Sequence, residues 1–404
     1  MIYQIGQLAD IIDGDRGKNY PKQNEFFSEG YCLFLNAGNV TSNGFSFDEN
    51  SFITQEKDKL LRKGKLQRGD IVYTTRGTVG NAAFYSETVP FDNIRINSGM
   101  VILRCNENVV DKRYLYQILK SEYFRPYFKK YCTGSAQPQL PIMNFSKIEL
   151  DIPEMETQHR IAEILSAYDD LIENNRKQIK LLEEAAQRLY KDWFVDLRFP
   201  GHEHAKIVDG VPEGWEKSAV AEVSSVLRRG ISPRYNENGK SVVINQKCIR
   251  QTVVTFDESR RQEKPYPEDL NLQDSDTVIC STGAGTLGRV GQIFGDYPNT
   301  TFDSHVTLVR TNEGLGKQYL FQSLKAWQTY LMGMGKGSTN QLELSRETIR
   351  NLDIYVPSKK VLDQFEQTAQ PMHDKISAIS KSIMQLQTAR DSLLPKLMSR
   401  EVEV

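Results

Sequence analysis

Two stretches of this chain repeat one apolar pattern, and each is too one-sided to stand uncovered. From Ile161 the apolar residues step by four and three through Leu165, Tyr168, Ile172, Ile179, Leu182, Ala186, Leu189 and Trp193, with Asn175 in the remaining slot. From Phe365 the same stepping runs through Ala369, Met372, Ile376, Ile379, Ile383, Leu386, Leu393 and Leu397, with Arg390 as the charged exception. Each position in the second seam follows its counterpart by a constant interval (365 − 161 = 204). A repeat of 3.5 keeps one stripe of a slightly underwound helix facing a partner. We therefore expect two long helices that cover each other. At roughly 1.5 Å per residue the first would span on the order of 55 Å, more than one turn of B-DNA. That length reads as a measuring rod, against the ordinary alternative of amphipathic core helices. Asn175 would set register, because a buried amide penalises any shift that leaves it without a partner. Pro371 predicts a kink, or a helix start just after it.

The segments before the two helices also repeat. Leu35-Asn36 and Phe47-Asp-Glu49 correspond to Ile244-Asn245 and Phe256-Asp-Glu258, while Ser98-Gly-Met-Val-Ile-Leu-Arg104 corresponds to Ser304-His-Val-Thr-Leu-Val-Arg310. Candidate strands lie at Tyr31–Leu35, Asp70–Thr74 and Met100–Arg104, and a helix at Lys112 to about Lys120. The fold class expected is α+β: two tandem mixed α/β domains, each followed by a long helix, the helices pairing as an antiparallel coiled coil with pseudo-two-fold symmetry. The boundaries read as domain 1 at 1–153, a central helix at 154–198, a linker at 199–214, domain 2 at 215–357 and a C-terminal helix at 358–400. Two copies are too few for a solenoid, so this is a tandem duplication. Between framework positions the copies differ: Tyr73-Thr-Thr-Arg76 stands where Ile279-Cys-Ser-Thr282 stands. One scaffold with two different surfaces suits two modules reading two targets.

Composition narrows the class. No run of about eighteen apolar residues would span a membrane, and the N-terminus shows no basic segment followed by an apolar one. Five widely spaced cysteines argue against a disulfide framework or a zinc ribbon, and favour a cytoplasmic setting. The net charge is −1, but local balance differs. Lys57, Lys59, Arg62, Lys63, Lys65 and Arg68 stand against Asp58 alone, and Arg228, Arg229, Arg234, Lys240, Lys247 and Arg250 against Glu237 alone. Such runs are usually solvated faces, yet their presence in both halves raises the case for phosphate contact.

Gly283-Ala-Gly-Thr-Leu-Gly288 fits Gly-x-Gly-x-x-Gly after a predicted strand. A dinucleotide site needs a helix to open there, whereas the following Arg289-Val-Gly-Gln-Ile-Phe294 is strand-like. We read a tight turn. His202-x-His204 lacks further ligands, so no metal site is expected. No catalytic triad, Walker loop or paired catalytic carboxylate can be argued from spacing, and no catalytic residue is assigned. The Asn/Asp-Pro-Pro-Tyr/Phe motif that holds a flipped adenine is absent, as is a loop for S-adenosylmethionine. Binding is the better reading. Asn and Gln pair bidentately with adenine, and Arg with guanine. The candidate DNA contacts are therefore Asn36, Asn39, Lys63, Lys65, Thr75, Arg76, Gln137 and Gln139 in the first half. In the second half they are Arg234, Asn245, Lys247, Thr282, Arg289, Asn340 and Gln341. For any single one, ordinary turn chemistry is the alternative.

Ile152-Pro-Glu-Met-Glu-Thr-Gln-His-Arg-Ile-Ala-Glu-Ile-Leu165, Ile172-Glu-Asn-Asn-Arg-Lys177, Trp193-Phe-Val-Asp196, Val211-Pro-Glu-Gly-Trp215 and Leu393-Leu-Pro-Lys-Leu-Met398 together resemble the specificity subunit of type I restriction-modification systems. The resemblance covers essentially the whole chain. It implies two target-recognition domains at opposite ends of an antiparallel helix pair, each reading half of a split site in double-stranded DNA. It also implies docking of modification subunits, which methylate adenine with S-adenosylmethionine, and of ATP-driven restriction subunits. No cofactor is expected in this chain itself. Two other readings are a nucleotide-binding enzyme using the Gly283–Gly288 turn and a coiled-coil assembly protein without DNA specificity.

Overall fold

The computed structural model describes residues 1–134, 138–283, 285–334, 343–398 and 401–402. The chain divides into two compact units, one of Met1–Glu173 with Met384–Val404 and the other of Asn174–Ile383. Among the described residues no helix is long and apolar enough to cross a membrane.

In the first unit, short apolar runs bounded by turn residues become strands. Ala9–Asp13, Met100–Cys105, Ile71–Thr74 and Ala82–Phe84 form a four-stranded antiparallel sheet in that order. Phe52–Ile53, Cys32–Leu35 and Ile94–Ile96 form a second sheet in which the last pair is parallel. Ile2–Gln4 pairs with Glu149–Asp151. The second unit has the same plan. Ser224–Arg229, Val306–Thr311, Thr277–Cys280 and Val290–Gln292 make the four-stranded sheet. Arg260–Gln262, Ser241–Ile244 and Thr300–Phe302 make the mixed one, and Glu216–Ala219 pairs with Asp353–Val356. The tandem duplication read from the sequence is therefore a duplication of topology.

Two devices, one polar and one steric, recur in the copies. Arg104 grips Asp70 with Nε at 3.0 Å and Nη2 at 2.8 Å, and Arg310 grips Asp276 through two 2.7 Å contacts. In both, the carboxylate also accepts a backbone N–H, from Gln67 and from Gln273. A forked guanidinium on a carboxylate that is almost wholly buried fixes two strands at one spacing. Gly14 and Gly230 follow the first strand of each sheet, and a Cβ there would lie 2.3 Å from the Asn97 oxygen and 2.2 Å from the Phe302 oxygen. Only glycine permits that approach.

The expected long helices are Met155–Tyr190 and Lys359–Met398. Each gives a segment to each unit. In the first unit Ile161, Ala162 and Leu165 share a buried cluster with Leu394 and Leu397, so the start of one helix lies with the end of the other. Arg390, the charged exception in the seam, meets Asp169 at 2.8 Å. In the second unit the end of the first helix meets the start of the second: Tyr190, Trp193 and Phe194 ring Phe365 at centroid distances of 6.4, 5.9 and 5.0 Å. Asn175 and Ile376 are buried, and Ile179, Leu182, Leu189, Met372, Ile383, Leu386, Leu393 and Tyr168 half-buried, so the seam read from the sequence is a covered face.

Two expectations change. The second helix neither starts after Pro371 nor is interrupted there. Proline costs a hydrogen bond to the carbonyl four residues earlier; burial of Phe365 and Ala369 before it, and of His373 and Ile376 after it, carries the helix through. The stretch 199–214 is more than a linker, because Ile207–Val208 and Val211–Pro212 form a hairpin. Its turn, Asp209-Gly210, has positive φ at both residues (50° and 83°), which matches the twist of the flanking strands.

The helices that follow the sheets are capped differently. Lys112–Leu119 is capped by Asp111, whose carboxylate accepts the Tyr114 N–H at 2.8 Å. Lys317–Ala326 is preceded by Gly316, and its free N–H groups at Gln318 and Tyr319 go instead to Glu366 on the long helix, at 3.3 and 2.8 Å. Burial raises the Glu366 carboxyl above its ordinary range, against the pull of those two amides. A side chain at 316 would meet that carboxylate at 2.1 Å, so the glycine and the glutamate depend on each other. Glu366→Ala should cost about 1 kcal/mol by uncapping the helix. Gly316→Asp alone should also destabilise, whereas the double variant Gly316→Asp/Glu366→Ala should regain most of the loss in thermal melts.

Candidate nucleic-acid interface

The basic runs look different once folded. In the first, Lys57 pairs with Glu25 at 2.8 Å, Lys65 with Asp58 at 2.6 Å and Arg68 with Asp92 at 2.9 Å, while Arg62 lies 3.8 Å from Asp15. Asp58 is itself buried between Lys65 and Arg95. Burial works to raise its carboxyl, but hydrogen bonds from those two cations hold it below the usual range. In the second run Arg228 pairs with Asp269 at 3.0 Å, Arg250 with Glu258 at 3.3 Å and Arg234 with Glu263 at 3.7 Å, and Arg229 pairs with Glu343. Carboxylates, most of them outside the run, thus pair with four of the six cations in each. Lys59, Lys63, Lys240 and Lys247 remain exposed, and among the described residues no carboxylate pairs with them.

The candidate contacts fall into two groups. Asn36 and Asn245 hold the same place in the two copies: each side-chain oxygen accepts a backbone N–H two residues on, from Gly38 at 2.7 Å and from Lys247 at 2.8 Å. Asn39 is 2% exposed, and its amide is spent on Asn36, Ser46 and Glu49. The Asn245 amide donates to the Glu258 carbonyl at 2.7 Å. What the structure shows for these three is turn chemistry.

The second group gathers at one end of each four-stranded sheet, on matched backbone. Thr75 donates its N–H to the Gly99 carbonyl at 2.9 Å and accepts the Leu140 N–H at 2.9 Å, while Arg76 bridges to Gln139. Ser281 donates to the His305 carbonyl at 2.8 Å and accepts the Leu344 N–H at 2.8 Å, while Thr282 bridges to Glu343. The turn below is also matched. Asn97 Oδ1 accepts the Gly99 N–H at 2.8 Å, and Asp303 Oδ1 accepts the His305 N–H at 2.9 Å. On this shared platform the first unit exposes Arg76, with Gln139 half-buried, and the second unit exposes His305, with Thr282 half-buried. Thr75 is buried, its hydroxyl spent on the Gly99 carbonyl at 3.2 Å. Arg289 is half-buried after the glycine turn. Gln137, Asn340 and Gln341 lie outside the described residues.

His305 was not among the candidates. The signal that could have found it is the alignment of Ser98-Gly99 with Ser304-His305, where a residue without a side chain is replaced by one rich in hydrogen-bonding chemistry. The Gly283–Gly288 turn is followed by the strand Val290–Gln292, where a dinucleotide site would open a helix.

Residues 1–184 and 212–383 match the family model described as the type I restriction modification DNA specificity domain. The chain is 27% identical over 360 residues to the type I restriction enzyme MjaIX specificity subunit of Methanocaldococcus jannaschii, covering 87% of this chain and 82% of that protein. It is 25% identical over 464 residues to the HindI specificity subunit of Haemophilus influenzae, covering 96% and 98%. A crystal structure of a type I restriction-modification S subunit from M. genitalium superposes with a TM-score of 0.53 at 18% identity, covering 98% and 95%, a likeness of fold.

The exposed and the engaged lysines should separate in experiment. Lys63→Ala should weaken duplex-DNA binding across sequences and lower the salt slope by about 1, with the melting temperature unchanged. Lys65→Ala should cost about 1 kcal/mol of stability through Asp58, read as a lower melting temperature.

Proposed function

This chain belongs to the DNA-specificity subunits of type I restriction-modification systems, and from that premise we propose that it reads a split, asymmetric duplex site without catalysing a reaction itself. One recognition domain takes each half-site. The observation that carries this reading is the matched platform: the same backbone bonds hold Arg76 and Gln139 in one copy and Thr282, His305 and Glu343 in the other. A duplicated frame with unlike side chains is what two unlike half-sites require, because the base edges distinguish donors from acceptors.

The long helices set the gap between half-sites and offer docking surface to the modification subunits. S-adenosylmethionine and ATP belong to the modification and restriction partners, and the assembly works in the cytoplasm. With most of the basic residues already paired, the chain alone binds DNA modestly, and tight, salt-sensitive binding comes with the modification subunits. The seam supports the spacer role, since a register fixed every 3.5 residues fixes a length.

A domain exchange and an insertion test this. Replacing residues 1–153 with another such domain should change one half of the methylated sequence and leave the other. Inserting four residues near Asn175 should change the gap between the halves, read by single-molecule sequencing of methylated genomic DNA. A gap that stays the same would remove the spacer role, and a gel shift showing tight sequence-specific binding by the isolated chain would contradict the dependence on partners.

A further inference from the structure

Resting on the reading just proposed, we infer that His305, oriented by Thr282, is a base-reading residue of the second recognition domain and donates to a base-edge acceptor in the major groove. It occupies in the second unit the role that Arg76 fills in the first. The argument begins from the platform. Gly99 and His305 sit at the same point of the same turn, each tied by its N–H to a side-chain oxygen two residues back and by its carbonyl to the neighbouring strand. In the first unit that point has no side chain, and a Cβ built there would lie 3.9 Å from Arg76 Cβ. The guanidinium thus leaves from beside Gly99. In the second unit the arrangement is reversed across the two strands: the short Thr282 stands where Arg76 stood, and the imidazole rises from the position of the glycine.

The imidazole is positioned. Thr282 Oγ1 lies 2.6 Å from His305 Nδ1, and the backbone beneath is held by Asp303, which is 3% exposed. Beside it, Ser281 and Thr307 close on each other at 2.6 Å, and Arg229 ties Glu343 to the same corner. When the Thr282 hydroxyl donates to Nδ1, the proton of the neutral ring lies on Nε2, which points a donor outward; the protonated ring presents the same donor. Among the described residues Nε2 has no hydrogen-bond partner. A single exposed donor on a rigid turn finds its acceptors in the major groove at purine N7, guanine O6 and thymine O4. An exposed histidine on a loop is more often solvated, but here the ring is held by a threonine, and the sister domain also places a hydrogen-bond donor, Arg76, at the same corner from the neighbouring strand.

The test uses the complete system, this chain expressed with its modification subunits, and reads the methylated motif by single-molecule sequencing. His305→Ala should relax one position of one half-site, raising methylation of sites with other bases there by roughly tenfold, while the other half-site is unchanged. Thr282→Val should relax the same position, and Thr282→Ser should restore it; a purely structural threonine would lower methylation at all sites alike. Arg76→Ala should relax a position in the opposite half-site. His305→Asn, which keeps a donor and the backbone bond to Asp303, covers the case in which the alanine variant fails to fold. It should alter the base preferred at that same position. An unchanged motif in both His305 variants would overturn the inference, as would a uniform fall in methylation with the motif intact. If exchanging residues 1–153 leaves both half-sites as they were, the recognition reading itself fails. If that exchange changes one half-site while the His305 variants leave the other untouched, only the assignment of His305 fails.

Discussion

A helix carrying one apolar stripe every 3.5 residues needs cover, and within each unit a segment of the second copy of the stripe supplies it. The consequence is that neither long helix belongs to one domain. Each unit is closed by a segment of both, so the core under Ile161 and Leu165 is completed by Leu394 and Leu397, residues more than two hundred positions away. The same holds for Phe365, which is walled by Tyr190, Trp193 and Phe194. Folding of either recognition domain onto its helix is thereby coupled to correct pairing of the seam, and a slipped register would expose apolar surface in both.

Polar residues make that pairing specific to each unit. Equivalent positions on the two helices, Asp169 and His373, carry different chemistry. Asp169 collects Gln117 at 2.6 Å and Arg390 at 2.8 Å, and Lys120 beside it is so buried that its ammonium is brought down to about 8. His373 is stacked on Phe294 and set between Asp274 at 3.1 Å and Gln292 at 3.2 Å. Burial tends to raise the Asp274 carboxyl, and the hydrogen bonds from His373, the Gly295 N–H and Ser275, with the charge interaction with His373, together bring it below the ordinary range. A domain docked on the wrong helix would bring Lys120 toward an imidazole, or Asp274 toward a carboxylate. Buried charges left without their partners cost several kcal/mol each, which is enough to keep two similar domains on their own helices.

Periodic features were legible in the sequence, and features made by single distant contacts were not. The seam, the repeat and the strands at Cys32–Leu35, Ile71–Thr74 and Met100–Cys105 follow from spacing and apolar runs, which local chain geometry translates directly. The cap that Glu366 supplies to the helix at Gly316 has no local signature, since its two halves are fifty residues apart. A helix start after Pro371 was expected because the cost of proline is local, while the burial that carries the helix from Lys359 through it is not. The pairing within the charge runs was hidden in the same way, as many of the acids that offset them, Glu25, Asp15, Asp92, Asp269 and Glu263, are distant in sequence. The Asp209-Gly210 hairpin was the missed local signal, a dipeptide whose turn preference can be read without a structure.

The site illustrates why recognition surfaces can differ so freely on one frame. The bonds that join the strands of the platform, from Thr75 to Gly99 and Leu140 and again from Ser281 to His305 and Leu344, run between backbone atoms. The turn below needs only an acceptor, and either Asn97 or Asp303 serves. The side chains of Arg76, Thr282 and His305 are therefore released from joining these strands. Asn39, by contrast, spends both ends of its amide on the chain and has nothing left to offer a base. A polar residue is available to a ligand to the extent that the backbone beneath it is satisfied by something else, and by that measure the tips of the two sheets offer freer side chains than the asparagine turns beside them.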